Sequence, residues 1–99
     1  MKMNEVIDRI SYFRNQKGLT AKDLSLSIDK HEGYINKLEA KDFNLPTKNL
    51  LLILEVLEIS PAEFFSDNYK TYESDNQLAD LISKLSKEKR ELLINFLEK

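Results

Sequence analysis

The chain contains very few residues that interrupt helices, and this restricts its fold more than any other feature. Only 2 glycines and 2 prolines occur in 99 residues, and apolar residues recur three and four positions apart. That spacing places apolar side chains on one face of a helix, whereas no segment alternates with the period of two that is typical of a strand. The sequence therefore predicts an all-α protein.

The first two helices are delimited by turn and capping residues. The first should run from about Asn4 to Lys17 and end at Gly18, which can adopt the left-handed conformation of a helix stop. Thr20 begins a second helix that extends to about Ile28, and Asp23 completes a capping box with it. The apolar stripe of the first helix consists of Val6, Ile10 and Phe13, with Ile7 beside it.

A third short helix is predicted from about Glu32 to Ala40, after the turn Asp29-Lys30-His31. The segment from Lys41 to Pro46 is expected to be a loop, and Thr47 should cap a leucine-rich fourth helix. Ser60-Pro61-Ala62-Glu63 combines an N-cap serine, a first-turn proline and an acidic third residue, so it predicts the start of a fifth helix. The expected core residues of these last three helices are Ile35, Leu38, Leu50, Leu54, Phe64 and Phe65.

Composition changes after residue 65, and this predicts three parts: a domain over 1–65, a linker over 66–75 and a helical tail over 76–99. The tail helices should span Asn76 to Leu85 and Lys87 to Glu98, with Ser86 capping the second. Two such helices bury too little surface to fold alone, so their apolar stripe must cover the main domain or a second copy. We expect a homodimer formed through Leu78, Leu81, Ile82, Leu85, Leu92, Leu93, Phe96 and Leu97.

Composition also argues against several functions. There is no cysteine, and His31 is the single histidine, which leaves no disulfide framework, thiol nucleophile or Cys/His metal site. The sequence contains no glycine-rich phosphate loop and no catalytic triad pattern, so we expect no enzyme activity, no cofactor and no small-molecule ligand. The longest apolar run, Leu50 to Leu54, is far too short to cross a bilayer, and we expect a cytoplasmic protein without a membrane anchor.

The segment LTAKDLSLSIDKHEGYINKLEAKDFNLPTKNLLLILEVLEISPAEFF, residues 19–65, resembles the helix-turn-helix domain of phage repressors and their bacterial relatives, the Cro/CI-type or XRE family. The matching features are Leu19-Thr20, Leu24-Ser25, the stretch Tyr34 to Glu39, Pro46, and Ile59 to Phe65. The resemblance implies a five-helix, lambda-repressor-like domain that binds double-stranded DNA with its third helix in the major groove. The two-helix tail is similar to the helical hairpin of some small regulators.

Positions of DNA contact follow from the resemblance, residue by residue. Glu32, Gly33 and Lys37 are expected to face bases, because lysine can donate to guanine and an ionised glutamate can accept from the cytosine amino group. The residues expected near phosphates are Thr20, Lys22, His31, Tyr34, Asn36 and Lys41. Two of these have simpler alternatives, since Tyr34 could be a packing residue and His31 a helix cap.

Charge and two departures from the family pattern leave a second function open. Ala21 stands where the family often has a phosphate-binding glutamine, and Lys41 and its neighbours lack the usual loop glycine. The segment from Thr20 to Lys41 carries four lysines and four acids, within a chain of net charge −2. This balance predicts modest affinity for DNA with a weak salt dependence. The alternative is a helical protein–protein interaction module that keeps the fold without binding DNA.

Overall fold

A computed structural model describes residues 1–41 and 44–98. All regular structure in these residues is helical, which confirms the all-α prediction. The helices are α1 (Met3–Gln16), α2 (Ala21–Ser27), α3 (Tyr34–Glu39), α4 (Thr47–Leu57), α5 (Pro61–Phe64), α6 (Tyr72–Ser83) and α7 (Lys87–Leu97). The chain divides into two compact units, Met1–Phe64 with α1 to α5 and Phe65–Lys99 with α6 and α7.

Helix α1 supplies one wall of the core of the first unit. Its buried residues are Ile7, Ile10 and Phe13, whereas Val6 is only half-buried. Ile7, Ile10 and Phe13 therefore form the inward stripe, and Val6 lies at its edge. Gly18 has a φ of 72°, which confirms the predicted left-handed stop after α1.

The other helices of the first unit close the core around α1. Phe64 is completely buried, and its ring centre lies 5.9 Å from that of Phe13. The predictions for two core residues were wrong, because Phe65 is 45% exposed and Leu50 is only half-buried. Helix α5 ends at Phe64, so Phe65 lies outside it. The buried apolar side chains of α2 to α5 and their turns are Leu24, Ile28, Tyr34, Ile35, Leu38, Leu45, Ile53, Leu54, Leu57, Ile59 and Phe64.

Local capping explains where most helices begin. The Thr20 hydroxyl accepts from the Asp23 N–H at 3.0 Å, and the Thr20 N–H donates to the Asp23 carboxylate at 3.3 Å, so the predicted capping box is confirmed. Ser60 accepts from the N–H of Glu63 as predicted. The predicted cap at Thr47 was wrong, because Thr47 is already helical and Pro46 occupies the N-cap position.

The second unit begins with a turn that is tied to the first residues of α6. Asn68 Nδ2 donates to the Asp75 carboxylate at 2.6 Å, and the Thr71 hydroxyl donates to it at 2.9 Å. These hydrogen bonds, from Asn68 and then Thr71, lower the pKa of the Asp75 carboxyl below its usual value. The start of α6 was predicted at Asn76, but the helix begins at Tyr72 and takes up the last four residues of the predicted linker.

Polar contacts set the junction between α6 and α7. The Arg90 guanidinium donates from Nε to the Leu85 carbonyl at 3.0 Å and from Nη2 to the Ser83 carbonyl at 2.6 Å. It thereby satisfies carbonyl groups that the end of α6 leaves without helical partners. Ser86 accepts from the N–H of Lys89, which confirms the predicted cap of α7. The two hydrogen bonds thus link the end of α6 to α7.

Three turns of the first unit use residues other than glycine in the left-handed region. Asp29, Lys41 and Glu58 have φ values of 59°, 64° and 57°. Residues with a Cβ pay roughly 1–2 kcal/mol for this conformation. At Glu58 the left-handed residue ends α4, the position where glycine is most favourable.

Replacing Glu58 by glycine should therefore stabilise the protein. We expect Glu58→Gly to raise the free energy of unfolding by about 1 kcal/mol in urea titrations, because the backbone strain disappears. Glu55→Gly is the matched control, since Glu55 is exposed inside α4, and it should lower the free energy by about 1 kcal/mol. A loss of stability in Glu58→Gly would contradict this account of the turn.

Candidate nucleic-acid interface

Helices α2 and α3 form a tightly connected pair, and Ser25 joins them. Ser25 is completely buried. Its hydroxyl donates to the Ala21 carbonyl within α2 at 2.7 Å and accepts from the Ile35 N–H in α3 at 2.9 Å. Ile35 is the second residue of α3, and N–H groups in a first turn have no partner within their own helix. The serine of α2 therefore caps α3.

The other end of α3 is held by an ion pair with α1. Arg14 Nε lies 2.8 Å from Glu39 Oε1, and Arg14 Nη2 lies 3.2 Å from Glu39 Oε2. Arg14 Nη1 also donates to the Leu19 carbonyl at 2.8 Å. The two side chains are only 14% and 16% exposed, which protects this two-pronged contact from solvent screening. The pair holds the last residue of α3 against α1.

No role was predicted for Arg14 or Glu39, although the sequence contained an indication that both side chains are paired. Each is a charged residue close to the apolar positions of its helix, Arg14 next to Phe13 and Glu39 next to Leu38. A charge near a core needs a partner of opposite sign. Twenty-five residues separate the two, however, so the pairing itself could be recognised only in the folded chain.

Tyr34, which was predicted to lie near phosphates or else to be a packing residue, belongs to the core. It is only 5% exposed, and its hydroxyl accepts from Asn49 Nδ2 of α4 at 2.7 Å. Lys30 Nζ lies 5.7 Å from the centre of the ring. Because Tyr34 is the first residue of α3 and faces α4, the alternative interpretation as a packing residue is the one the structure supports.

The chain forms a turn before α3, where the helix had been predicted to begin at Glu32. The Gly33 N–H donates to His31 Nδ1 at 3.2 Å, and the Tyr34 N–H donates to the His31 carbonyl at 3.0 Å. His31 therefore acts as a local cap, while its ring remains exposed. Glu32 and Gly33 stand at the entrance to α3, immediately before Tyr34. Glu32 is exposed and Gly33 is half-buried.

The outer face of α3, which we define as Asn36, Lys37 and Ala40, is exposed. It lies opposite the buried Ile35 and Leu38, as helical spacing requires. Among residues 1–41 and 44–98, no carboxylate lies within ion-pair distance of Lys37. The outer face therefore combines a lysine ammonium group with an amide on a helix that is held at both ends.

The two lysines that were predicted to lie near phosphates, Lys22 and Lys41, are paired with acids. Lys22 Nζ lies 3.6 Å from Glu32 Oε2, and Lys41 Nζ lies 3.2 Å from Asp8 Oδ1 on α1. All four groups are exposed to solvent, so each pair contributes at most about 1 kcal/mol to stability. The net positive charge around α2 and α3 is consequently smaller than the number of lysines suggests.

The loop after α3 is only partly described. Lys41 is exposed and adopts the left-handed conformation, with a φ of 64°. The predicted loop extends from Lys41 to Pro46, and it includes Asp42 and Phe43, which lie outside the described residues. Leu45, near the end of this loop, is buried and anchors the entry to α4.

The tail helices expose the residues that were predicted to form a dimer. Among the described residues of the second unit, none of those in α6 and α7 is buried. Leu92 and Phe96 are 63% and 74% exposed. Leu78, Leu81 and Leu97 are exposed as well, and Ile94, which had not been predicted, is a further exposed apolar residue. The remaining predicted residues, Ile82, Leu85 and Leu93, are half-buried.

In the described part of the chain, no helix is long and apolar enough to span a membrane. The same residues contain no group of three or more His, Cys, Asp or Glu side chains that could hold a metal ion.

Comparison with known proteins gives one match. A family model described as Helix-turn-helix matches residues 10–64, which is more than half of the chain and extends from the middle of α1 to the end of α5. No curated protein and no solved structure is significantly similar to the chain.

Removal of the Ser25 hydroxyl should destabilise the α2–α3 pair. We expect Ser25→Ala to lower the free energy of unfolding by about 1–3 kcal/mol, because the buried Ile35 N–H loses its acceptor. The matched control is Ser27→Ala, whose exposed hydroxyl donates only within α2, and its effect should stay within about 0.5 kcal/mol. Amide hydrogen exchange at Ile35 should accelerate in Ser25→Ala alone, and unchanged protection there would contradict the capping role.

Proposed function

Because the chain belongs to the Cro/CI-type (XRE) helix-turn-helix family of DNA-binding transcriptional regulators, we propose that it is a sequence-specific repressor. It acts as a homodimer on an inverted repeat in double-stranded DNA, with α3 of each copy in the major groove. Two copies related by a twofold axis read half-sites about 10 to 10.5 base pairs apart. The alternative is a protein-binding module, and the experiments described below distinguish it from a repressor.

The observation that carries the proposal is that both ends of α3 are held by contacts with neighbouring helices. Ser25 caps its first turn and Glu39 pairs with Arg14 at its last, while Asn36 and Lys37 remain exposed between them. A helix of six residues is too short to be stable by itself, so these two contacts give it a defined position. A rigid, exposed helix is what direct reading of base edges requires.

Three residues of α3 and its entrance have distinct roles in this proposal. Lys37 donates to the O6 and N7 acceptors of guanine, which only the major groove presents in this arrangement. Asn36 donates through its amide to a phosphate oxygen. Gly33, which has no side chain, lets the backbone before α3 approach the DNA closely.

The residues around α2 position the protein on the DNA backbone. Thr20, Lys22, His31 and Lys41 are all exposed and face phosphates in this proposal. Two of the lysines also contact carboxylates, and the Asp23 carboxylate occupies the N-terminus of α2. We therefore expect few released counterions and a weak dependence of affinity on salt.

The second unit provides the dimer contact. Hydrogen bonds from Arg90 hold α6 and α7 in a defined arrangement, and the apolar side chains of both helices remain exposed. A set of exposed apolar residues this large is typical of a protein–protein interface. A second copy of the chain is the simplest partner, since a twofold contact needs only one surface that is complementary to itself.

The neutral charge of the segment from Thr20 to Lys41 favours the protein-binding alternative. The decisive experiment is selection from random duplex DNA at low and at near-physiological salt. Enrichment of an inverted repeat supports the repressor proposal and supplies the operator sequence. A failure to enrich any sequence at either salt concentration would support the alternative.

Charge reversal on the outer face of α3 should abolish specific binding. We expect Lys37→Glu to weaken binding to the selected duplex by about 100-fold or more, since a guanine contact is lost and a repulsive charge gained. Circular dichroism and the melting temperature should change little, because Lys37 is exposed. Lys2→Glu makes the same charge change at the start of α1 and should leave affinity within a few-fold. Equal affinity of Lys37→Glu and the unchanged protein would contradict the proposed orientation.

Charged residues on the tail should convert the dimer to a monomer. We expect the double variant Leu92→Glu, Phe96→Glu to sediment as a monomer and to bind the inverted repeat more weakly, because both side chains belong to the proposed contact. Asn95→Glu adds a charge to the same helix at an exposed polar position and should remain dimeric. If the unchanged chain already sediments as a monomer, the dimer proposal fails.

A further inference from the structure

An exposed carboxylate stands at the entrance to α3, on a surface proposed to meet polyanionic DNA. Glu32 lies in the turn that precedes α3, and 72% of its side chain is exposed. Its Oε2 atom is 3.6 Å from Nζ of Lys22 in the first turn of α2. The contact therefore connects the beginnings of the two helices that the family uses to approach DNA.

Stability of the fold does not account for this pair. Both side chains are mostly solvated, and exposed ion pairs contribute little to folding. Near phosphates, an unpaired carboxylate would weaken binding to every DNA sequence alike. Lys22 offsets that repulsion, because an ammonium group has three donors and can contact a carboxylate and a phosphate at the same time.

The hydrogen-bonding chemistry of an ionised glutamate restricts what it can recognise. A carboxylate only accepts hydrogen bonds. In the major groove the donors are the amino groups of cytosine and adenine, and glutamate typically pairs with the amino group of cytosine. Guanine and thymine present acceptors at the same edge, so they would repel Glu32.

We propose that the Lys22–Glu32 pair selects one base pair of each half-site, an inference that rests on the proposed DNA-binding function. Glu32 accepts from the exocyclic amino group of a cytosine, and Lys22 neutralises the carboxylate while it contacts the neighbouring phosphate. Where guanine or thymine occupies that position, Glu32 faces an acceptor and the contact is repulsive. The pair therefore sacrifices affinity for unrelated DNA and raises the ratio of specific to non-specific binding.

The test compares the unchanged chain with Glu32→Gln, Glu32→Ala and the control Asp8→Asn. Asp8 is an exposed acid paired with Lys41, so Asp8→Asn removes the same charge from a similar ion pair on α1. Each full-length protein is used for selection from random duplexes, and its affinity for the selected and for an unrelated duplex is measured over a range of salt concentrations. Circular dichroism verifies that each variant is folded.

We expect the unchanged chain to require cytosine at one position of each half-site. Glu32→Ala should lose about ten-fold discrimination at that position, and Glu32→Gln should shift the preference towards adenine, with which glutamine pairs. Both variants should bind the unrelated duplex several-fold more tightly, with a steeper salt dependence. Asp8→Asn should keep the cytosine preference, even if its overall affinity rises.

Three results would overturn the inference, and they are distinguishable. If the unchanged chain enriches an inverted repeat and folded Glu32→Gln and Glu32→Ala enrich the same one, the base-selecting role fails while the DNA-binding function stands. If the unchanged chain enriches nothing, both fail. A loss of cytosine preference in Asp8→Asn as large as in Glu32→Ala would also contradict a specific role for Glu32.

Discussion

The hydrogen bond from the Ile35 N–H to the Ser25 hydroxyl joins the first turn of α3 to α2. Glycine precedes α3 and offers no side-chain cap, so the first turn depends on an acceptor from the neighbouring helix. Ser25 supplies it from a fully buried position, where an unpaired N–H would be costly. The exposed residues Asn36 and Lys37 acquire fixed directions only because this contact and the Arg14 ion pair hold the helix.

Charge balance on this surface has consequences for how DNA would be bound. Lysines contribute affinity for any phosphate backbone, whereas carboxylates at the same surface reduce it. Glu32 lies beside Lys22 and Asp8 beside Lys41. In the proposed complex these acids would limit non-specific attraction, and recognition would rely on directional hydrogen bonds. Pairing two copies through the tail would then compensate for the weak contribution of each single domain.

Several features were predictable because they depend on residues close in sequence. The all-α class, the stop at Gly18 and the caps at Thr20, Ser60 and Ser86 all follow from spacing and short-range hydrogen bonds. The errors in helix starts lie at turns that precede a helix. The predicted start of α3 was too early, and that of α6 too late, because the turns before them are stabilised by side chains whose bonding pattern is not encoded in helical periodicity.

The sequence by itself therefore determined the helical class, most helix boundaries and the family resemblance, since periodicity and capping act within a few residues. Tertiary structure alone decided that Tyr34 is a core residue linked to Asn49, and that Arg14 pairs with Glu39 across 25 positions. It also decided that Glu32 stands beside Lys22. Such contacts depend on how helices pack against one another, and packing distances between separate helices are not contained in the spacing of residues along any one of them.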